Sequence, residues 1–313
     1  IVDIKIHGET KKKSTQISNL IFDDFQRLHS YLHPWEESLI SQMNHSLSQK
    51  EKFIVDDNEI IRIIQENKEL AKKSNGYFNP AIGKLIAMWG FHDEIATQSI
   101  PTSYQLESFM ENIPVMENII ISDNEITSKN INFQLDLGGY AKGYALDRAK
   151  KILENNGISN ALINIGGNII AIGKRGEKNW VIGIQHPRKP TAIATIDLLP
   201  GWSIGTSGDY QRYFVVSGKR YSHLIDPTTG YPATNSQSST IMIPPSYKSG
   251  VLSDVYSKPL FIAPKDKKIN IAQKLLIDFY MVILNDGQIM ISDEMNKSIN
   301  WVESQDEEAV TIY

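Results

Sequence analysis

Asp136-Leu-Gly-Gly-Tyr-Ala-Lys-Gly-Tyr-Ala-Leu-Asp147 is the stretch on which the reading of this 313-residue chain turns. A partly alternating apolar run ends at Asp136, two glycines follow, and the period then becomes helical, with Ala141, Ala145, Ala149 and Ile152 on one face. A strand, a glycine turn and a helix start make a place where backbone N–H groups can meet phosphate. Lys142 puts a cation in the first helical turn, where the helix dipole disfavours one. An anion at that end would account for it. A tight strand-to-helix turn with a surface lysine is the other reading.

Bulk properties narrow the field. Hydrophobic residues make up 41%, enough for one large domain or two interlocked ones. The net charge of -4, from 32 basic and 36 acidic residues, argues against a nucleic acid polymer as partner. Lys11-Lys12-Lys13 is the one sharp basic run and reads as a solvated turn. The absence of cysteine excludes thiolate catalysis, thiolate metal sites and disulfides within the chain. No stretch reaches the length of a membrane span. The start at Ile1-Val-Asp3 reads as processed or truncated, with any export signal or lipid anchor upstream of it.

Outward from the opening stretch, the pattern is α+β, helical in the first third and sheet-rich after it. Residues 2–6 alternate as a strand, and Ile17 to Leu32 reads as a helix. Pro34 and Trp35 open a polar connection to Asn44. Asp56 or Asp57 caps a helix whose apolar side is Ile60, Ile61, Ile63, Ile64 and Leu70 and which Gly76 stops. A short apolar helix or loop is expected at 85–90 and a short helix at 102–112. Strands are expected at 119–122, 125–127, 132–137, 161–165, 168–173, 180–185 and 192–197. Ser203–Thr206 and Gln211–Val216 continue that sheet, followed by strands at 221–225 and 238–243. Helices near 142–155, 251–263 and 268–278 and a hairpin around Asp286-Gly287 complete the pattern.

Four further segments combine glycine with polar side chains. Asn164-Ile-Gly-Gly-Asn168 is either a close-approach turn for a ligand or a buried hairpin turn. Gly205-Thr-Ser-Gly-Asp-Tyr210 offers hydroxyls and exposed amides between strands. His223-Leu-Ile-Asp-Pro-Thr-Thr-Gly230 places an imidazole, a carboxylate and two hydroxyls together. His223 suits general-base work near neutrality, or serves as a histidine bonded to a neighbouring strand. Asp254, in Ser253-Asp-Val-Tyr-Ser-Lys258, caps a helix, binds a hard cation or pairs with Lys258 four residues on.

Taken in order, these segments resemble the FAD:protein FMN transferases, the ApbE-type flavin transferases. Ser38–Asn44, Asn75–Pro80 with Gly83, Trp89–Phe91, Trp180–Pro187 and His223–Pro232 carry the match beside the segments above, over nearly the whole chain. The resemblance implies an α+β fold with a mainly antiparallel or mixed sheet core and packed helices. It spans residues 1–313 as one compact unit or two closely associated lobes, helix-rich at about 17–112 and sheet-rich at about 119–291. It implies magnesium-dependent transfer of FMN from FAD to a threonine or serine hydroxyl, with release of AMP. The acceptor would be a protein of an electron-transfer system, and the enzyme an exported bacterial lipoprotein, periplasmic or at the cell surface, meeting the membrane only through an upstream anchor. His223 and Asp254 would be catalytic. Ala141, Asp254 and Ser257 would hold the metal. Asn79, Gly138, Gly139, Lys142, Gly166, Gly167, Asn168, Thr206, Ser207, Gly208, Asp226 and Lys258 would line the flavin-nucleotide site.

Three departures from the family pattern stand out. Lys258 stands where a threonine normally ligates the metal. An ammonium about 4 Å from a divalent ion is repelled by roughly 8 kcal/mol at an effective dielectric of about 20, as an upper bound. Lys258 therefore turns away, loses its proton, or takes the metal's place beside Asp254. Lys11-Lys12-Lys13 occupies the region of a usual methionine-glycine-threonine group, and Asn79 and Ala81 replace an aspartate and a threonine. A non-catalytic flavin or nucleotide binder and an FAD pyrophosphatase are the alternatives that these changes keep open.

Overall fold

The computed structural model describes residues 1–92, 97–303 and 309–313. In chain order the first elements are β1 (Val2–Ile6), α1 (Lys11–Leu32), α2 (Leu39–Ser48), β2 (Phe53–Ile54), α3 (Asn58–Lys73), α4 (Gly83–Met88) and α5 (Ser103–Met110). The middle holds β3 (Ile119–Ser122), β4 (Glu125–Ser128), α6 (Ala141–Asn155), β5 (Ala161–Ile165), β6 (Asn168–Ile172), β7 (Trp180–Gln185) and β8 (Ala192–Leu198). Then come β9 (Ser203–Gly208), β10 (Tyr213–Val216), β11 (Lys219–Ser222), β12 (Ser236–Ile243), α7 (Ser249–Ile262) and α8 (Lys265–Lys274). The last are β13 (Phe279–Leu284), β14 (Ile289–Ile291), α9 (Asp293–Ser298), β15 (Ile299–Trp301) and β16 (Val310–Ile312). The α+β expectation with a mixed sheet holds.

The chain forms two compact units, each assembled from separate segments: Ile1–Arg27, Tyr140–Tyr210 and Thr234–Tyr313 make the first, Leu28–Gly139 and Gln211–Ala233 the second. The first unit is built on an eight-stranded sheet, β1-β5-β6-β9-β12-β13-β14-β16, antiparallel except for β14 with β16. Alternation along β6 and β9 sends Ile169 and Ile204 to one face, where they pack with Ile182, Ile196 and Trp180 of the smaller β15-β8-β7 sheet. The opposite parity, Ile163 and Ile170, packs on Ile17, Leu146, Ala149 and Leu153 of α1 and α6. The same face of β9 meets α7, which is buried along nearly its full length.

The second unit carries α2 to α5, the β2-β4-β3 sheet and the β10–β11 hairpin. Asp57 caps α3 by accepting the Glu59 and Ile60 N–H groups, and Ile60, Ile63, Ile64 and Leu70 face inward. A second core joins Leu85, Trp89, Phe91, Leu106 and Phe109 to Phe214 and Ile225.

Several expectations are corrected. The helix expected from Ile17 begins at Lys11, because Thr10 Oγ1 accepts the Lys13 N–H and Glu9 pairs with the Lys13 ammonium; the lysine run is a helical turn. The polar connection to Asn44 contains α2, started by a reciprocal capping box between Ser38 and Ser41. Residues 132–137 form no strand beyond a single bridge of Gln134 to Ile82. Their backbone is taken by the Asn44 amide, which brackets Leu135, and by Pro80 and Ala81 carbonyls. Among the described residues β10 and β11 pair only with each other, so they do not continue the large sheet. The expected 221–225 strand ends at Ser222, leaving His223 outside it. The helix expected at 268–278 lies at Lys265–Lys274, opened by Pro264, which has no N–H to lose. No helix among the described residues is long and apolar enough to cross a membrane.

Candidate active site

In the first unit, three glycines let α6, α7 and β9 meet backbone to backbone. A Cβ on Gly143 would lie 2.4 Å from the Gly250 carbonyl oxygen, and one on Gly205 2.2 Å from that of Ser253. The start of α7 has no side-chain cap of its own. Asp147 of α6 supplies it, accepting the Gly250 and Val251 N–H groups at 2.8 and 2.9 Å. This close approach delivers Asp254 to the start of α6, where its Oδ2 accepts the Gly143 N–H at 2.9 Å.

Lys258, one turn on, closes the group. Its Nζ donates at 2.6 Å to Asp254 Oδ1 and at 2.6 Å to the Asp254 carbonyl. The two side chains are 13% and 2% exposed. Of the three arrangements open to Lys258, the structure has the one in which it takes the cation's place. Burial pushes the Lys258 ammonium below its usual range, Asp254 pulls it back up, and the positive charge of Lys142 adds to the downward push. Lys142 itself lies in the first turn of α6, its Cδ 4.0 Å from where a Cβ on Gly166 would be.

The remaining first-unit candidates divide by face. Ser207 Oγ bonds Ser257 Oγ at 2.8 Å, and Ser257 Oγ donates to the Asp254 carbonyl at 2.8 Å. Asn168, 1% exposed, has a side-chain NH₂ without a partner. It has the sheet parity of Ile170 and so faces the helices. Thr206 has the other parity and pairs with Thr240 at 2.9 Å, away from Ser207. The 205–208 amides, expected exposed between strands, belong to β9 and lie in register with Ser238 to Ile241 of β12. Gly166 and Gly167 form the two-residue turn of the β5–β6 hairpin, at φ 57° and 93°. The segment is a hairpin turn, but not the buried one expected, since Gly166 is exposed and Gly167 half-buried.

A magnesium ion at Ala141, Asp254 and Ser257 does not fit this donor set. One Asp254 oxygen holds a backbone N–H and the other an ammonium. A divalent ion on the same carboxylate would face that ammonium at close range, with the repulsion given above.

In the second unit, His223 follows β11. Its backbone N–H and its Nδ1 both lie 3.0 Å from the Arg212 carbonyl. A carbonyl only accepts, so Nδ1 carries the proton and Nε2 is the basic position of the neutral ring. Phe91 stands edge-on at 6.4 Å and extends to Phe214 and Tyr221, stacked at 5.2 Å. Asp226 is spent on its own turn, where its Oδ1 accepts the Thr228 N–H and hydroxyl. Asn79 likewise bonds Ala81 N–H and the Pro114 carbonyl. At the glycine pair, Gly138 N–H donates to Asp136 at 2.7 Å, while Gly139 ends the segment. Burial pushes the Asp136 carboxyl up; the Gly138 N–H, Arg212 and His33 counter it.

Sequence reasoning missed Asp147, Gly143 and Gly250, which build the Asp254 position. The two glycines were visible, but no local pattern links Asp147 to an N–H group about a hundred positions on. It also missed His29, His33 and Glu36, whose ligand atoms lie within 4.8 Å of one another. His33 Nδ1 accepts the Glu36 N–H at 2.8 Å, which puts the proton on Nε2, toward the Glu36 carboxylate. That is a hydrogen-bonded helix end, and it offers no lone pair at Nε2.

Comparison with known proteins decides the family. The model of the ApbE family matches residues 1–281. The chain belongs to the ApbE family. An ApbE protein from Thermotoga maritima has a similar structure, with a TM-score of 0.83 and 31% identity over 95% of this chain and 98% of that one. An FAD:protein FMN transferase from Rhodobacter capsulatus is 30% identical over 97% of this chain, which spans 57% of that relative's length. One from Vibrio cholerae is 29% identical over 89% of this chain and 81% of the relative.

Proposed function

We propose that this ApbE-family chain is an FAD:protein FMN transferase, moving FMN from FAD to a hydroxyl of a protein acceptor and releasing AMP. The observation that carries the reading is the junction of α6, α7 and β9. There Lys142, Lys258, Asp254 and the Gly143 N–H come together in a chain whose relatives bear that name. Splitting a pyrophosphate demands positioning and charge neutralisation more than covalent chemistry, and a rigid cationic junction supplies both.

The step balances without a further reactant. The acceptor oxygen forms a bond to the FMN phosphorus, the P–O bond to the AMP phosphate breaks, and AMP leaves with that electron pair. The hydroxyl proton goes to a general base, and the family resemblance assigns that role to His223, whose Nε2 is the basic position set by the Arg212 carbonyl. The donor set at Ala141, Asp254 and Ser257 does not fit magnesium while Lys258 sits on Asp254, so no step is routed through a metal. A serine or threonine acceptor in an exported electron-transfer protein, and a lipid anchor upstream of Ile1, rest on the family resemblance alone.

A second reading, flavin-nucleotide binding without transfer, is favoured by the same Lys258–Asp254 pair. Incubation with FAD, magnesium and an acceptor domain bearing a flavinylation motif separates the two. The expected result is an FMN adduct by intact mass with equimolar AMP. AMP without an adduct would mean hydrolysis, and FAD bound with no product would leave the binding module.

A further inference from the structure

We propose that Lys258 is the built-in cation of the donor-phosphate site, doing with its ammonium what a bound divalent ion does elsewhere in the family. The proposal rests on the flavin-transferase reading and deepens it. Three observations lead to it. The Lys258 Nζ is fixed by two contacts of 2.6 Å, both to Asp254, so its position is set by the helix that carries it. Asp254 is itself locked by the Gly143 N–H across the helix junction, which orients its carboxylate toward the lysine. The group is also unbalanced: Lys142 and Lys258 bring two positive charges within electrostatic reach of each other, and Asp254 brings one negative charge.

The buried Lys258–Asp254 pair is neutral by itself, and the half-buried Lys142 adds a positive charge that an anion would neutralise. Among ligands of a flavin transferase the pyrophosphate bridge has the matching chemistry, since two ammonium groups together supply the charge of one divalent ion. The start of α6 adds the Ala141 and Lys142 N–H groups to the same anion, those of Gly143 and Tyr144 being bonded to Asp254 and to the Tyr140 carbonyl, and the unpartnered NH₂ of Asn168 adds a donor on the sheet side. Lys258 neither gains nor loses a proton during transfer. It neutralises oxygens of the bridge while AMP departs, and it serves as a binding and charge-stabilising group.

The test uses the full chain treated with EDTA and exchanged into metal-free buffer. FAD binding is followed by flavin fluorescence, and FMN transfer to the acceptor domain by intact mass, each with and without magnesium. The expected result is that wild-type FAD affinity and transfer rate change by less than about threefold on adding magnesium. Mn²⁺, followed by its EPR signal without nucleotide, should show no site tighter than about millimolar. The Lys258→Thr variant should bind FAD at least about tenfold more weakly in EDTA and recover with magnesium, whereas Lys258→Arg should retain binding in EDTA. Thermal melts confirm that both variants fold; if Lys258→Thr does not, the wild-type EDTA and Mn²⁺ measurements decide.

Wild-type FAD binding or transfer that is lost in EDTA and restored by magnesium would overturn the proposal. So would a micromolar Mn²⁺ site in the wild type, or undiminished FAD affinity in a folded Lys258→Thr protein. If no adduct forms under any condition, the transferase reading fails, while the binding measurements still decide the role of the lysine.

Discussion

The junction of α6, α7 and β9 and the bend at His223 are built on opposite plans. At the junction the chemistry-bearing groups are also the packing groups: Asp254 bonds the first turn of α6, Asp147 caps α7, and the glycines leave no volume to spare. At the bend, the imidazole and its own backbone N–H lean on one carbonyl, and the chain passes directly into the turn closed by Asp226. The first region cannot change its site without changing its core. The second can lose a side chain and keep its backbone bonds.

The sharpest break of that contrast is Asp254→Ala. It removes the carboxylate, leaves the buried Lys258 ammonium with only the backbone carbonyl, and orphans the Gly143 N–H. Breaking one side of a buried pair costs about 3–5 kcal/mol. The urea midpoint should fall accordingly, together with FAD binding. A midpoint within experimental error of the wild type would show that the junction does not hold the fold. Gly143→Ala comes next. Its new Cβ would meet the Gly250 oxygen at 2.4 Å and the Val251 Cα at 2.7 Å, both on backbone that cannot rotate away. Overpacking of that kind costs about 1–3 kcal/mol, to be read from the thermal melt. An unshifted melt would mean that the two helices part without penalty.

The two regions also differ in how far the sequence exposes them. Lys258 beside Asp254 was legible, because i, i+4 spacing in a helix fixes the contact and leaves only three outcomes for the lysine. The Asp147 cap was not, since it links residues about a hundred positions apart and no local pattern encodes that distance. α2 was hidden because its capping partner at the third position is Ser41, and the expected signal there is Glu or Gln. β9 runs through Gly205 and Gly208, which read locally as a turn; only pairing with β12 makes that glycine-rich backbone a strand. For His223 the local pattern of β10 and β11 was right, but where the strand ends depends on its pairing, and the last pair is Tyr213 with Ser222.

A third measurement sharpens the contrast from the far end of α7. Lys268 is fully buried and donates to Ser236 Oγ and to the Leu260 and Phe261 carbonyls, closing that helix end. Burial pushes its ammonium down to about 7. The unfolded chain keeps the proton up to roughly pH 10, so between these values it binds more protons than the folded one, and stability rises with pH. The slope is at most about 1.4 kcal/mol per pH unit. Urea midpoints should climb from pH 7 to 9 in the wild type and lose that contribution in Lys268→Met. Equal slopes in the two proteins would show that the lysine stays charged throughout.

His223→Ala is the smallest perturbation to the fold and tests the other half of the contrast. The backbone N–H of residue 223 still reaches the Arg212 carbonyl, so the acceptor is not orphaned when the ring is removed. The loss in stability should therefore stay below about 1 kcal/mol. FAD binding in the first unit should hold within about threefold, because charge and packing there are untouched. Removal of a general base lowers a rate by about 10²–10⁴-fold, so FMN transfer should fall by that factor while the melt and the FAD titration barely move. Asp254→Ala has the opposite signature, with stability, binding and transfer falling together. If His223→Ala instead matched Asp254→Ala in stability, the bend would be as much a part of the core as the junction, and a loss of activity would no longer identify the imidazole as the proton acceptor.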